Sequence, residues 1–334
     1  MAVADITAIQ LRELLAAGGV VAAGSGRIGP AYFDANRANL MVARGDVTSE
    51  RFTFRNPARS AVPPAWARWS ITAALGYQVG KGRGDGLCVA GYALSDTYSQ
   101  LRNLLNAGTK LLREQGRQAA YAIDSNGAFD KAYARANRVG WIGRNTLVMV
   151  PGWGPAVVIG SILTDTEIDV SIGKRPGRWP CGNCTRCRDA CPTGALSGDG
   201  GIVPKLCIAW IGQKESLTPE ERRLLGTRVY GCDECMIACP VGSRRHAAIP
   251  TISPKEITEA TPVEIVKRFG HWYIPRRDPT FVYRNALVAL ANRRRQDVHA
   301  RRAIARFLLD GSTNLRHEAL RLWLALRYRK ESDS

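Results

Sequence analysis

The sequence lacks any long apolar run, although 45% of its 334 residues are hydrophobic. A transmembrane helix needs about 20 consecutive apolar residues, so we expect no membrane span and no membrane partner. Asp5 and Glu13 interrupt the only segment that could be a signal peptide, at the start of the chain. This segment instead predicts a surface helix followed by a glycine turn, and a cytoplasmic protein.

Acidic residues are scarce relative to basic ones, since 29 Asp and Glu stand against 47 Lys and Arg and give a net charge of +18. Such an excess predicts a polyanionic partner. We expect nucleic acid before membrane, because no terminal helix combines basic residues with aromatic anchors. The alternative is a solvated basic surface without a polyanionic partner.

Cysteine is concentrated in one region: eight of the nine lie between residues 181 and 239, and only Cys88 lies elsewhere. The stretch CGNCTRCRDACP at residues 181–192 has the spacing C-x2-C-x2-C-x3-C-P of bacterial two-cluster ferredoxins, in which the fourth cysteine binds the other cluster. In a reducing compartment, such a pattern indicates metal binding and not disulfides.

A second cysteine run, CDECMIACP at residues 232–240, lacks one early ligand, which Cys207 can supply. We therefore predict two 4Fe–4S clusters with four thiolate ligands each. The first cluster takes Cys181, Cys184, Cys187 and Cys239, and the second takes Cys191, Cys207, Cys232 and Cys235. Two structural zinc sites are the alternative, but zinc would not explain why the x3-C-P ending occurs twice.

Two clusters predict an electron-transfer path, but the chain has no dinucleotide-binding fingerprint that would indicate a bound electron donor. The glycine-rich stretch GKGRGDG at residues 80–86 lacks the strand–turn–helix context that the G-x-G-x-x-G motif requires. We expect electrons to come from a separate donor such as flavodoxin or ferredoxin, and not from bound NAD or flavin.

Three segments follow one another along the chain. Predicted strands at residues 67–77, 119–124 and 156–165 alternate with predicted helices at 95–116 and 127–140, which indicates an α/β or α+β domain over residues 1–172. The cysteines predict a ferredoxin-like domain over residues 173–250. Residues 251–334 are predicted to be helical and HEAT-like, with one apolar stripe that must pack on a further element. The stripe consists of Ala303, Phe307, Leu315, Leu322 and Leu326.

Several stretches in unbroken order resemble the epoxyqueuosine reductase family. They are YAIDSNGAFDKAYARANRVGWIGRNTLVM, GSILTDTEI, the first cysteine run, CIAW and RVYGCDECMIACP, within residues 65–325. Members of this family carry out the last step in the synthesis of the tRNA nucleoside queuosine. The resemblance implies a cobalamin-binding domain akin to that of reductive dehalogenases, two 4Fe–4S clusters, tRNA as substrate and, we expect, a monomer.

The resemblance also implies roles for individual residues. Asp124, which ends a predicted apolar strand, corresponds to the proton-donating acid of the family, and the alternative is an aspartate that caps the next helix. The cobalamin-lining positions would be Tyr92, Asp96, Gly140, Trp141, Ile142, Gly143, Asn145 and Thr146. The histidine-ligand signature D-x-H-x-x-G is absent, which fits cobalamin without a histidine ligand and equally fits no cobalamin.

Departures from the family pattern keep two other functions open. Arg144 stands for the usual lysine, Tyr98 or a neighbouring residue lies where a histidine is usual, and Gly127 and Asp130 replace a proline and a glutamate. The alternatives are a cobalamin-dependent reductase of a small molecule and an electron-transfer protein without a corrin. The arginine cluster Arg293, Arg294 and Arg295 between basic helices favours tRNA, because arginine suits phosphate contacts and base stacking.

Overall fold

The structure is a computed structural model that describes residues 3–29, 63–124, 130–177, 181–197, 201–242, 246–272, 274, 277–293, 298–309 and 311–332. The chain forms two compact units, each assembled from three separate segments. The first unit comprises residues 1–78, 95–204 and 234–246, and the second comprises 79–94, 205–233 and 247–334. The division into three consecutive domains remains a prediction.

The strands of the described residues are β1 (Val20–Arg27), β2 (Trp69–Gly76), β3 (Gly82–Arg83), β4 (Cys88–Val89), β5 (Ala119–Ala122), β6 (Trp141–Ile142), β7 (Val148–Met149), β8 (Val157–Thr164), β9 (Ser171–Ile172), β10 (Arg228–Tyr230) and β11 (Ile249–Pro250). The helices are α1 (Val3–Ala17), α2 (Thr97–Glu114), α3 (Asp130–Ala136), α4 (Arg186–Asp189), α5 (Ile208–Ile211), α6 (Pro219–Leu225), α7 (Glu234–Ile237), α8 (Pro254–Thr258), α9 (Pro262–Arg268), α10 (Thr280–Arg293), α11 (Val298–Leu309) and α12 (Thr313–Ser332).

The first unit is built on a five-stranded sheet with the order β5-β8-β2-β1-β9. Every pairing in this sheet is antiparallel, so the unit is of the α+β kind and not a parallel α/β sheet. Helices α1 and α2 cover it through buried leucines that recur at helical spacing, among them Leu11, Leu15, Leu101 and Leu105. Gly160 lets α2 approach closely, since a Cβ there would lie 2.7 Å from a methyl carbon of Leu105.

Sequence patterns located most elements of this unit but missed one strand. The predicted strands at 67–77, 119–124 and 156–165 correspond to β2, β5 and β8, and the predicted helix at 95–116 corresponds to α2. Strand β1 was missed because its sequence, VVAAGSGR, was assigned to the glycine turn after α1. The arginine-rich segment between residues 30 and 62 lies outside the described residues.

The second unit is mainly helical, with α8 to α12 around one apolar core. The predicted stripe of the last two helices is confirmed as a buried face that packs against α10 and the other helices of this unit. Short parallel pairs of β10 with β4 and of β11 with β3 complete the unit. Among the described residues, none of the helices combines the length and apolarity needed to cross a bilayer.

Candidate functional site

The four cysteines assigned to the first cluster all lie in the first unit, where α4 packs against α7. Cys187 and Cys239 are buried, while Cys181 and Cys184 are half-buried. Burial raises the pKa of the Cys239 thiol, and the neighbouring Cys181, Cys187 and Cys184 raise it further by charge repulsion. The helix that carries Cys187 and the helix that precedes Cys239 are therefore brought together, although residues 187 and 239 are far apart in sequence.

Hydrogen bonds stabilise the thiolate of Cys191. Burial acts to raise the pKa of this thiol, but hydrogen bonds from the Thr193 hydroxyl and from the backbone N–H groups of Thr193, Ala195 and Leu196 together lower it. The Cys191 Sγ lies 3.5 Å from Thr193 Oγ1. A thiolate that accepts several hydrogen bonds suits a cluster ligand, because metal ligation requires the deprotonated sulfur.

The remaining predicted ligands are divided between the units. Cys235 lies in α7 of the first unit, whereas Cys207 and Cys232 belong to the second unit. Cys207 precedes α5, and Cys232 follows β10 and packs against the apolar cluster that contains Ile208. The joining of these residues with Cys191 in a second cluster remains a prediction. Among the described residues, no three or more Cys, His, Asp or Glu side chains are grouped so as to hold a single metal ion.

Cys88, the one cysteine outside the cluster region, is half-buried in β4 and not fully buried as a small apolar residue would be. Its thiol lies 3.3 Å from the hydroxyl of Thr227. It therefore provides a cysteine of the same chain with no predicted role in metal binding.

Asp124 follows β5 and has a left-handed backbone with φ of 43°. Its N–H donates to Asp130 Oδ2 over 3.1 Å. Asp124 retains exposed surface, yet partial burial of its carboxyl raises the pKa, against the opposing charge of Arg102. An acid in this setting holds its proton to a higher pH than a solvated aspartate does.

Asp130, at the start of α3, is a second acid beside Asp124 that the sequence did not single out as functional. Burial raises the pKa of Asp130 to about 7, and the charge of Asp124 adds to this, while the Asp124 N–H and Lys131 oppose it. Its Oδ1 is buried without a hydrogen-bond partner among the described residues. The signals in the sequence were its place where the family usually has a glutamate and its position six residues after Asp124, at the start of a helical pattern.

The stretch GWIGRNT forms a hairpin of β6 and β7, and α3 packs against it. Its glycines serve the hairpin itself: a Cβ on Gly140 would lie 2.5 Å from the Met149 carbonyl oxygen, and one on Gly143 would lie 2.8 Å from Asn145 Oδ1. Asn145 is buried, and its Oδ1 accepts from the Leu147 N–H over 3.2 Å. The geometry of a tight hairpin turn is thus a sufficient explanation for Gly140, Gly143 and Asn145 without a ligand.

Trp141 departs from that explanation, because its indole nitrogen Nε1 is buried and has no acceptor among the described residues. A buried donor without a partner costs about 1–3 kcal/mol, so an acceptor supplied by a ligand would relieve it. Ile142 is half-buried beside it, and Thr146 has a left-handed backbone with φ of 64°. Of these residues, Trp141 carries the feature that a polar ligand with an acceptor would satisfy.

The remaining predicted cobalamin residues have structural partners. Asp96 caps α2, since its Oδ1 accepts from the Ser99 N–H over 3.0 Å. Tyr92, in a short 3-10 helix of the second unit, lies with its ring centre 6.0 Å from that of Tyr230. Their contact with cobalamin remains a prediction.

Of the arginine cluster, Arg293 ends α10, and Arg294 and Arg295 lie outside the described residues. Other arginines of the two last helices already have intramolecular partners: Arg302 donates to Glu259 over 3.2 Å, and Arg306 donates to the Thr258 carbonyl over 2.7 Å. Arg327 lies over the ring of the exposed Trp323, 5.1 Å from its centre. The basic surface is thus partly engaged within the chain.

Comparison with known proteins confirms the resemblance to epoxyqueuosine reductases. Residues 180–242 match the family described as "4Fe-4S double cluster binding domain". The chain is 37% identical over 119 residues to the epoxyqueuosine reductase of Listeria monocytogenes, covering 35% of this chain and 31% of the relative. It is 30% identical over 181 residues to that of Bacillus subtilis, covering 51% and 46%. The matches span about half or less of these relatives.

The fold agrees over a longer part of the chain. A crystal structure of an epoxyqueuosine reductase with an epoxyqueuosine-modified tRNA-Tyr stem loop matches 93% of this chain and 88% of that chain, with a TM-score of 0.75 and 24% identity. The mixed arrangement of helices and strands in this chain is therefore the fold of that epoxyqueuosine reductase. The double-cluster match supports iron–sulfur over zinc in residues 180–242.

Proposed function

We propose that this protein reduces epoxyqueuosine to queuosine in tRNA. One observation carries the proposal: α4, which carries Cys187 of the ferredoxin-type run, packs against α7, which precedes Cys239, in the same unit that holds the raised-pKa acid Asp124. The chain has the fold of epoxyqueuosine reductases, one of which is known in complex with an epoxyqueuosine-modified stem loop. The reaction removes the epoxide oxygen as water and leaves a carbon–carbon double bond, which takes two electrons and two protons.

The cofactors of this reaction would be two 4Fe–4S clusters and cobalamin. Cys181, Cys184, Cys187 and Cys239 would hold the first cluster, and Cys191, Cys207, Cys232 and Cys235 the second. The clusters would supply single electrons from an external flavodoxin or ferredoxin, and cobalamin, when bound, would supply a strongly reducing cobalt. Burial raises the pKa of Cys187 and Cys239, so these two of the four sulfurs are shielded from water.

Cobalamin would lie against the β6–β7 hairpin. The buried indole N–H of Trp141 lacks an acceptor among the described residues, and a corrin carries amide side chains that can accept such a bond. Gly140, Ile142, Gly143, Asn145 and Thr146 would form the adjoining surface, and Tyr92 and Asp96 the further contacts that the resemblance implies.

Asp124 would donate a proton as the carbon–oxygen bond breaks. A general acid works best when its pKa lies near the working pH, and partial burial moves the pKa of Asp124 in that direction. The Asp130 carboxylate, which accepts from the Asp124 N–H, would hold the acid in its left-handed conformation. The other proton would come from solvent.

The tRNA would bind the basic helical segment of residues 251–334, the HEAT-like part of the proposed fold. Arg293, Arg294 and Arg295 would contact phosphates. The exposed Trp323, with Arg327 over its ring, offers a surface on which an unpaired base could stack. We expect a monomeric cytoplasmic protein.

The test is an anaerobic assay with tRNA that carries epoxyqueuosine, cobalamin and a low-potential reductant, followed by mass spectrometry of the nucleosides. We expect conversion to queuosine, which depends on added cobalamin. If protein that carries both clusters and cobalamin leaves epoxyqueuosine in tRNA unchanged, epoxyqueuosine is not its substrate. Turnover of an organohalide by the same preparation would then favour the small-molecule reductase.

A further inference from the structure

Asn285, on α10 of the second unit, is completely buried and joins two distant parts of the backbone. Its Nδ2 donates to the carbonyl oxygen of Gly212 over 2.8 Å and to that of Val229 over 2.9 Å. Both protons of one amide group are thus used to connect two segments that are 17 residues apart in sequence.

Each of these segments carries a predicted cluster ligand. Gly212 is the C-cap of α5, a single turn of helix whose N-cap is Cys207. Val229 lies in the centre of β10, three residues before Cys232. So short a helix and strand provide few internal hydrogen bonds, and the external bonds to Asn285 fix their positions.

Arg284 orients the amide of Asn285. Its Nε and Nη2 donate to Asn285 Oδ1 over 3.1 Å and 2.8 Å, which turns Nδ2 towards the two carbonyl groups. Arg284 is itself buried and donates to Gly212 O over 2.8 Å and to Lys214 O. The end of α5 is therefore held by two neighbouring side chains of α10.

Apolar packing joins the same elements. Cys232 packs against a buried cluster to which α5, α6 and α10 each contribute. The members of this cluster are Ile208, Ile211, Leu217, Leu225 and Val288. Ile208 directly follows Cys207 and Val288 lies one turn after Asn285, so the polar and apolar contacts fix the same pair of segments.

We propose that Asn285 is a positioning residue for the second iron–sulfur cluster, which holds the backbone segments of Cys207 and Cys232 at a fixed separation. The inference rests on that part of the proposed function which makes these two cysteines ligands, and it does not depend on the substrate. Four thiolates must be held close together around a cubane, and two of the four proposed for this cluster come from segments that Asn285 connects.

The test compares Asn285→Asp with Asn292→Asp after anaerobic reconstitution. The aspartate at position 285 keeps an oxygen for Arg284 but loses both donated hydrogen bonds. Asn292 is the matched control, because its Nδ2 also donates to two carbonyl groups, of Arg222 and Gly226, each over 2.8 Å. Those groups lie in and just after α6, which carries no cysteine.

We expect the parent and Asn292→Asp to contain about eight iron atoms per chain, and Asn285→Asp to contain about four. The electron paramagnetic resonance spectrum of reduced Asn285→Asp should match that of Cys207→Ala. Hydrogen exchange of α10 and α12 reports whether the second unit remains folded. Asn285→Ser, a second variant without the carboxylate, is measured in the same way.

Loss of about four iron atoms with parent-like hydrogen exchange in either variant supports the inference. Full iron content with an unchanged spectrum overturns it. Loss of exchange protection in both variants also overturns it, since Asn285 would then support the core in general. A parent with no iron, or with zinc, would instead refute the proposed function.

Discussion

The backbone N–H of Asp124 and the carboxylate of Asp130 are joined by a hydrogen bond of 3.1 Å between N and Oδ2. The bond holds Asp124 at φ of 43°, a conformation that residues other than glycine rarely adopt. It also places two acids side by side in a partly buried part of the first unit. Burial, to which the charge of Asp124 adds, raises the pKa of Asp130 to about 7, so Asp130 should retain its proton to near neutral pH.

Replacing Asp130 with Asn should change how stability depends on pH. The pKa of Asp130 is about 7 in the folded protein and about 3.9 in an unfolded chain, so folding favours its protonated form. In the parent, this group lowers the free energy of unfolding as pH rises from about 4 to about 7. The amide of Asp130→Asn does not ionise, so the free energy of unfolding of the variant relative to the parent should rise with pH. The rise should reach up to about 4 kcal/mol, because each unit of pKa shift corresponds to about 1.4 kcal/mol.

Urea unfolding at several pH values measures this difference. Asp165→Asn is a control of opposite sign: burial acts to raise the pKa of Asp165, but hydrogen bonds with Gln118, Thr166 and Thr164 lower it. The free energy of unfolding of Asp165→Asn relative to the parent should fall as pH rises through the range in which Asp165 ionises. A difference between Asp130→Asn and the parent that stays constant from about pH 4 to 8 would contradict the raised pKa of Asp130.

Asp124→Asn should abolish most turnover while the clusters and cobalamin stay bound. The amide has nearly the shape of the carboxyl group but cannot donate the catalytic proton, and a general acid contributes about 10²–10⁴-fold to rate. The measurement is single-turnover conversion of epoxyqueuosine in tRNA, with iron and cobalt content determined on the same sample. Asp165→Asn serves as the control, and activity of Asp124→Asn within a few-fold of it would reduce Asp124 to a structural role.

Cys239→Ser should remove the first cluster. Its thiol lies near Cys181, Cys187 and Cys184, and we expect iron and sulfide each to fall from about eight to about four per chain. Cys88→Ser is the matched control, because this thiol lies beside Thr227 in β4 and should not affect iron content. Equal iron content in the two variants would show that Cys239 is not a ligand.

Replacing Arg293, Arg294 and Arg295 together with Gln should make tRNA binding less dependent on salt. Each lost phosphate contact changes the slope of log K against log salt by about 0.7–0.9, so the slope should fall by roughly one to three units. Fluorescence anisotropy at several salt concentrations measures the slope.

The charge-matched control is a triple Gln variant of Arg12, Lys110 and Arg117 in the first unit, which should bind like the parent. If the first triple variant keeps the parent's slope, tRNA does not contact this arginine cluster. A parent affinity that does not depend on salt would favour a small-molecule substrate.

Local sequence determined many of the elements correctly. Helix α2 was predictable because its leucines repeat at helical spacing and Asp96 caps it. Strand β1 was missed because alanine and glycine dominate it and do not favour strands on their own. Its pairing with β2 along seven register positions supplies the stability that its composition does not, and that pairing could not be read from the sequence.

The sequence alone determined the chemistry of the cysteines, because their spacing and the proline after each run specify iron–sulfur ligands whatever the surrounding fold. It also determined the net charge and the position of Asp124 after a strand. Only the tertiary structure decided which groups meet. Helix α7, which precedes Cys239, packs against α4, and the amide of Asn285 bridges the segments that carry Cys207 and Cys232. Burial raises the pKa of Asp130 to about 7. These features join residues that are distant in sequence or depend on their surroundings, so they arise from packing and not from local pattern.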